Sequence, residues 1–177
     1  MPNYTWNQLT IIGDDKKLNE LENTKFDFNK FIPMPDEIKK DSQGKVCLLC
    51  NKKMSKEKFR EYCEKCGIES NIGGRSDKNL NEKELEIKNN WIKKYGATGW
   101  YEWSVNNWGT KWNSVDVTMH RLNPNKLLVE FDTAWSQPDP IIQVIARDYE
   151  VRVYHMFEDE FDYEVRVNKV ENYNYDE

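Results

Sequence analysis

Hydrophobic positions recur along this chain at two different intervals, and the changes of interval mark its elements. Tyr4 to Ile12 ("YTWNQLTII") mixes β-branched and aromatic residues and stops at Gly13, which predicts a strand. "DDKKLNELENTKFDFNKFI" predicts a short helix followed by irregular chain, and Pro33 and Pro35 close that unit because two prolines so close forbid a continuing helix. Helical spacing returns in "NLNEKELEIKNNWIKKYG", where Leu80, Ile87, Trp91 and Tyr95 share a face and Gly96 suits the position just past a helix end. Thr98 is placed to cap a second short helix. In it Tyr101, Val105 and Trp108 fall at i, i+4 and i+7, with Trp100, Trp103 and Asn107 as a neighbouring stripe. Period two then takes over: Val115, Val117 and Met119 alternate with Asp116, Thr118 and His120. Pro124 marks a hairpin turn, and Leu127, Val129 and Phe131 line one face of the following strand. Asp139 reads as a helix N-cap with Pro140 at the first helical position, burying Ile141, Ile145 and Tyr149 with Ile142 and Ala146 beside them. "VRVYHMF" and "FDYEVRV" alternate once more around the acidic turn "EDE".

The predicted order is β, α, insertion, α, α, β, β, α, β, β. A mostly antiparallel sheet with helices on one face is an α+β arrangement, and β-α-β-β-α-β with one strand added fits the ferredoxin-like order. The expected organisation is one discontinuous ferredoxin-like domain, 1–38 and 80–177, interrupted by a small inserted module and linker, 39–79.

Charge sharpens that division. From Lys39 to Cys66 there are nine Lys/Arg against four Asp/Glu, a net +5, whereas Glu158 to Glu177 holds eight acids and two bases, a net −6. Most of the protein would repel a phosphate backbone and one small segment would not. The chain has no apolar run of membrane-spanning length and no basic-then-apolar start, so no membrane partner and a cytosolic location are the expectation.

The basic segment carries all four cysteines, in "CLLCNKKMSKEKFREYCEKC". Cys47 and Cys50 form one Cys-x2-Cys knuckle, and Cys63 and Cys66 form another, with twelve residues between the two. Two such knuckles supply four thiolates, the tetrahedral set that structural Zn²⁺ takes. The segment has too few apolar residues for a core of its own, so the metal would supply its folding free energy. Disulfides are disfavoured in a cytosolic chain, a redox CxxC is more often single, and ferredoxin iron–sulfur spacings differ. Four thiolates and one Zn²⁺ together carry −2, which lowers the segment from +5 to +3. Lys52, Lys53, Lys56, Lys58 and Arg60 then form a candidate basic contact surface for an acidic protein face or for phosphate, with solvated lysines as the plainer reading.

Nothing in the sequence marks a catalytic constellation. His120 and His155 are the two histidines, each in an alternating strand without a spaced partner, and both read as strand-surface residues. "EDEFDYE" reads as a solvated acidic turn, because it lacks the ligand spacing and loop glycine of a calcium site.

Four stretches taken together carry a resemblance: "MPNYTWNQLTIIG", "FDFNKFIPMPDE", "WYEWSVNNWGTKWNSVDV" and "FDTAWSQPDPII". In wording and order they resemble the YubB-type ferredoxin-like domain, a family of small proteins from plasmids, phages and other mobile elements. The match covers about 1–37 and 95–146. It implies the fold and a mobile-element setting and brings no biochemical function. The chain departs from the family at Ser136 to Pro138, where Ser-Pro-Pro is usual, and in the cysteine segment, which is not a family feature.

Two functional readings follow. The first is a non-catalytic binding protein of a phage or other mobile element that engages a host or phage protein or nucleoprotein complex, as a counter-defence inhibitor would. The second is a nucleotide- or nucleic-acid-binding sensor or enzyme whose pocket uses Trp103, Asn107, Trp108, Lys111, Asn113 and Trp135. In the plainer reading those tryptophans are packing, with Trp108 and Trp112 straddling Gly109 at a helix-to-strand corner and wedging it against Trp135.

Overall fold

The computed structural model describes residues 3–42, 55–57, 60–63, 66, 68–71, 82–159 and 162–170. Its elements are β1 (Tyr4–Ile12), α1 (Asp15–Asn23), α2 (Asp36–Ser42), β2 (Ser55–Glu57), β3 (Arg60–Cys63), β4 (Ile68–Asn71), α3 (Glu82–Tyr95), α4 (Trp100–Trp108), β5 (Val115–Asn123), β6 (Lys126–Ala134), α5 (Asp139–Asp148), β7 (Arg152–Asp159) and β8 (Asp162–Val170). They cluster into two compact units, Met1–Pro33 with Ser104–Glu177, and Met34–Trp103. Helices α2 and α3 belong to the second of these units.

The first unit holds a five-stranded sheet in the order β5-β6-β1-β7-β8, with every neighbouring pair antiparallel. Leaving β8 aside, this is the ferredoxin-like order, with β8 added at the β7 edge. Alternation decides which side chains face the core. Leu9 and Ile11 of β1, Leu127, Val129 and Phe131 of β6, and Val153 and Phe157 of β7 share one face and are buried, together with Leu18 and Leu21 of α1 and Ile141, Ile142 and Ile145 of α5. Arg121 of β5 ties that face to α1, donating to Asn19 Oδ1 at 2.7 Å and Glu22 Oε2 at 2.8 Å. On the opposite face Trp6, Gln8, Thr10, Ile12, Leu128, Tyr154 and Met156 are half-buried.

Two helix starts differ from the sequence reading. Pro138, not Asp139, is the N-cap of α5, which has no side-chain cap hydrogen bond. Thr98 lies two residues before α4, and its N–H and hydroxyl both donate to Glu102 Oε2 at 2.7 Å. The apolar face of α4 also differs. Trp103, Ser104 and Trp108 are buried, whereas Tyr101 is 46% and Val105 40% exposed. The face with more indole surface wins the interior, since a Trp removes far more apolar area from water than a Val.

The second unit contains the three-stranded antiparallel sheet β2-β3-β4 and helices α2 and α3. Within it Ile38, Trp91 and Ala97 are buried, and Glu37 accepts from Lys94 Nζ at 3.3 Å and Tyr95 OH at 3.2 Å.

Candidate functional site

The tryptophan-rich phrase ends at a corner where α4 turns toward β5. Gly109 sits there at φ +79°, in the left-handed region that a side chain rarely adopts. A Cβ at this position would come within 2.8 Å of Pro140 Cδ and 3.1 Å of the Gln137 carbonyl, so the corner also needs the absence of a side chain. "Trp-Gly-Thr" and "Thr-Ala-Trp-Ser" meet across it. Thr110 Oγ1 donates to the Ala134 carbonyl at 2.8 Å, and Ser136 Oγ donates to the Gly109 carbonyl at 2.6 Å. Two phrases distant in sequence are thus one latch.

Inside the latch the polar side chains are occupied by structure. Trp108 Nε1–H donates to the Ile32 carbonyl at 2.9 Å, and its ring meets Phe28 edge-on at 5.9 Å. Asn113 Oδ1 accepts from Phe28 N–H at 2.8 Å and from Ser114 N–H at 2.9 Å, while its Nδ2 donates to Asp27 Oδ1 at 2.7 Å. These bonds hold a segment in which Lys25 and Phe26 both have left-handed backbones, φ 53° and 55°. Burial works to raise the Asp27 carboxyl, but hydrogen bonds from Asn113 and Asn29, with Lys30 nearby, take it below its ordinary value.

Outside the latch lies a cluster of different character. Lys111 Nζ stands 4.3 Å from the Trp135 ring centroid and 4.7 Å from that of Trp112, so one ammonium contacts two indole faces. Trp135 is 45% exposed and has φ +75°. A bulky residue in the left-handed region carries backbone strain, and nearly half of this indole's surface is in water. Such a feature points to use at the surface.

The six candidate residues therefore divide. Lys111 and Trp135 come together, joined by Trp112, which the sequence reading placed at the corner but not in the candidate set. Trp108 and Asn113 serve the interior, Trp103 is buried, and Asn107 is half-buried on α4. The signal for Trp112 was its place beside Lys111.

A second polar group departs from the sequence expectation. His155 is fully buried, not at the strand surface, because it stands two residues from both Val153 and Phe157 on the core face of β7. Its Nε2 lies 3.0 Å from Asn7 Oδ1. Asn7 Nδ2 donates to the Thr5 carbonyl and to Thr133 Oγ1, both at 2.9 Å, so Oδ1 is the accepting side and His155 Nε2–H the donor. Nδ1 is then unprotonated, and among the described residues neither it nor buried Thr5 Oγ1 has a hydrogen-bond partner. Burial pushes the His155 pKa down to about 4. His120 is exposed, as its alternation predicts.

Of the cysteines, Cys47 and Cys50 lie outside the described residues, as do Lys52, Lys53 and Lys58. Cys63 ends β3, paired in register with Ile68, and Cys66 lies half-buried in the turn before β4. Lys56 is on β2 and Arg60 opens β3. Among the described residues no three His, Cys, Asp or Glu side chains gather as a metal site, and no helix is long and apolar enough to cross a membrane.

Residues 107–165, from the end of α4 into β8, match the family model described as the ferredoxin-like domain in Api92-like protein. The crystal structure of protein Api92 from Yersinia pseudotuberculosis superposes with a TM-score of 0.53 at 8% identity, covering 97% of this chain and 95% of that one. No curated protein matches the chain. A ferredoxin-like domain is therefore what this chain shares with Api92-like proteins.

Proposed function

We propose that this protein is a non-catalytic binding protein whose contact surface centres on Trp135, Lys111 and Trp112, and whose partner is a host or phage protein or nucleoprotein complex. The observation that carries this reading is the strained, half-exposed Trp135 stacked on Lys111. Interface energy concentrates in a few aromatic and cationic anchors, and an indole already held in place loses little conformational freedom on binding. The mobile-element setting and a counter-defence role belong to this proposal through the YubB-type resemblance, and a cytosolic location through the sequence expectation. The pocket reading, in which Trp103, Trp108 and Asn113 would line a nucleotide site, is less favoured, because Trp103 and Trp108 are buried and Asn113 is engaged with Phe28, Ser114 and Asp27.

Affinity capture from a host lysate with the full chain tests the proposal. Trp135→Ala should weaken capture about 30-fold, the loss of a hot spot of about 2 kcal/mol, while Tyr101→Ala on α4 should leave it unchanged. The same substitution should change folding stability by less than about 1 kcal/mol, as removal of a half-exposed ring does. Equal capture by wild type and Trp135→Ala would overturn the assignment.

The inserted segment is proposed as a structural zinc ribbon held by Cys47, Cys50, Cys63 and Cys66. Supporting it, Cys63 closes β3 and Cys66 lies just before β4 of a small antiparallel sheet, with the two-residue spacing of a zinc knuckle. Native mass spectrometry should find one zinc per chain, lost in Cys63→Ser. Iron, or four reactive thiols with no metal, would reject the ribbon.

A further inference from the structure

Across its three central strands, β6, β1 and β7, the half-buried face of the sheet carries acids at one end and bases at the other, with Glu130 between them. Register places Asp132 and Glu158 on either side of Trp6, and Lys126 and Arg152 on either side of Ile12. Between them run Glu130, Gln8 and Met156, then Leu128, Thr10 and Tyr154. Gln8 Nε2 donates to Glu130 Oε1 at 3.0 Å, which pins the middle of the face. Glu158 and Arg152 are exposed, and the other members of these rows are half-buried. At about 3.3 Å per residue the acidic and basic rows lie roughly 20 Å apart.

A face that is acidic at one end and basic at the other complements itself under only one two-fold operation. An axis running along the strands would set Asp132 against Glu158 and Lys126 against Arg152, like against like. An axis across the strands lays each strand over its own copy in reverse. Asp132 then faces Lys126 of the second copy, Glu158 faces Arg152, and Trp6 faces Ile12. Every charge in the two rows finds its opposite, twice over.

We propose that this sheet face is a homodimer interface in which two copies stack sheet on sheet, with corresponding strands antiparallel. Stacked sheets lie about 10 Å apart and cross at about 30°, so at the charged rows the strands are offset by roughly 5 Å, within reach of Lys, Arg and Glu. Five strands at about 4.8 Å spacing over a 20 Å length give roughly 500 Å² per copy. The total of about 1,000 Å² sits at the lower limit for a specific interface, so the dimer forms in the micromolar range and weakens with salt.

Sedimentation velocity on the full chain from about 1 to about 200 µM tests this, a range that brackets a micromolar dissociation constant. A monomer–dimer equilibrium is expected. Arg152→Glu or Glu158→Arg should each weaken it at least about tenfold, because each reversal creates two like-charge contacts, and the double variant should return to within about threefold of wild type. Both residues are exposed, and circular dichroism of each variant confirms its fold. Should either variant misfold, Asp132→Lys and Lys126→Asp on β6 form the equivalent pair. A chain that stays monomeric across the whole range overturns the proposal, as does a dimer indifferent to both single reversals.

Discussion

Trp108→Ala should lower folding stability by about 4 kcal/mol, at the large end for a single substitution. Two losses combine. The indole is 4% exposed and packs edge-on against Phe28, which in turn meets Phe26 and Phe131 at 6.1 Å, so truncation opens a cavity among aromatic rings. The Ile32 carbonyl also loses its donor. Trp108→Phe separates the two contributions by retaining most of the ring while removing the N–H. It should recover more than half of the loss and leave about 1–2 kcal/mol for the unmade hydrogen bond. Urea titration of both variants measures this. A cost below about 1 kcal/mol for Trp108→Ala would mean that the ring is not part of the core.

Acid should remove about 3 kcal/mol through His155, the second large effect. In the folded chain this imidazole is held neutral down to about pH 4 by burial, whereas unfolded it takes its proton near 6.5. Folded pKa below unfolded pKa means that the unfolded state binds the extra proton. Stability is therefore complete above pH 6.5, falls by about 1.4 kcal/mol per unit as pH drops, and levels off below about 4. Carboxylates titrate over the same range, so the informative quantity is the difference between wild type and His155→Gln. Gln retains a donor for Asn7 Oδ1 but carries no titrating group. Denaturant titrations at pH 7, 5.5 and 4.5 should show the variant's pH slope flattened, and parallel slopes would show that His155 does not titrate in this window.

Both predictions come from residues whose environment the sequence suggested only in part. Period-two alternation in "VDVTMH", "KLLVEF" and "VRVYHMF" located three strands and told correctly which side of β6 is buried. The same rule applied to Val153, His155 and Phe157 places His155 in the core, against the surface position that residue type alone suggests. Strand parity outranks residue type when both neighbours two positions away are apolar. On α4 two stripes competed, Tyr101 with Val105 and Trp108, and Trp100 with Trp103 and Asn107, and one tryptophan of each, Trp108 and Trp103, is buried while Tyr101 and Val105 are exposed. The larger buried area decided, which is a property of what each stripe meets.

The candidate cluster shows the same division. Lys111, Trp112 and Trp135 could be named from composition, but 23 residues separate Lys111 from Trp112's partner on the ammonium, Trp135, in the chain. Their meeting depends on the bonds from Thr110 to Ala134 and from Ser136 to Gly109 that close the corner. Asn113 looked like a recognition residue and is instead the hydrogen-bond partner that holds Phe28 and Asp27 in place. An unengaged polar side chain among tryptophans and an engaged one are identical in sequence.

Local rules therefore account for the strands of the five-stranded sheet, the α+β class and the β-α-β-β-α-β order, because periodicity and turn residues act over a few residues. The order β5-β6-β1-β7-β8, the burial of His155 against Asn7, the stacking of Lys111 on Trp135, and the opposed charged rows of the sheet all depend on which distant strands become neighbours. Strand pairing is chosen by the combined burial of the whole core, a cooperative quantity that no short window of residues contains.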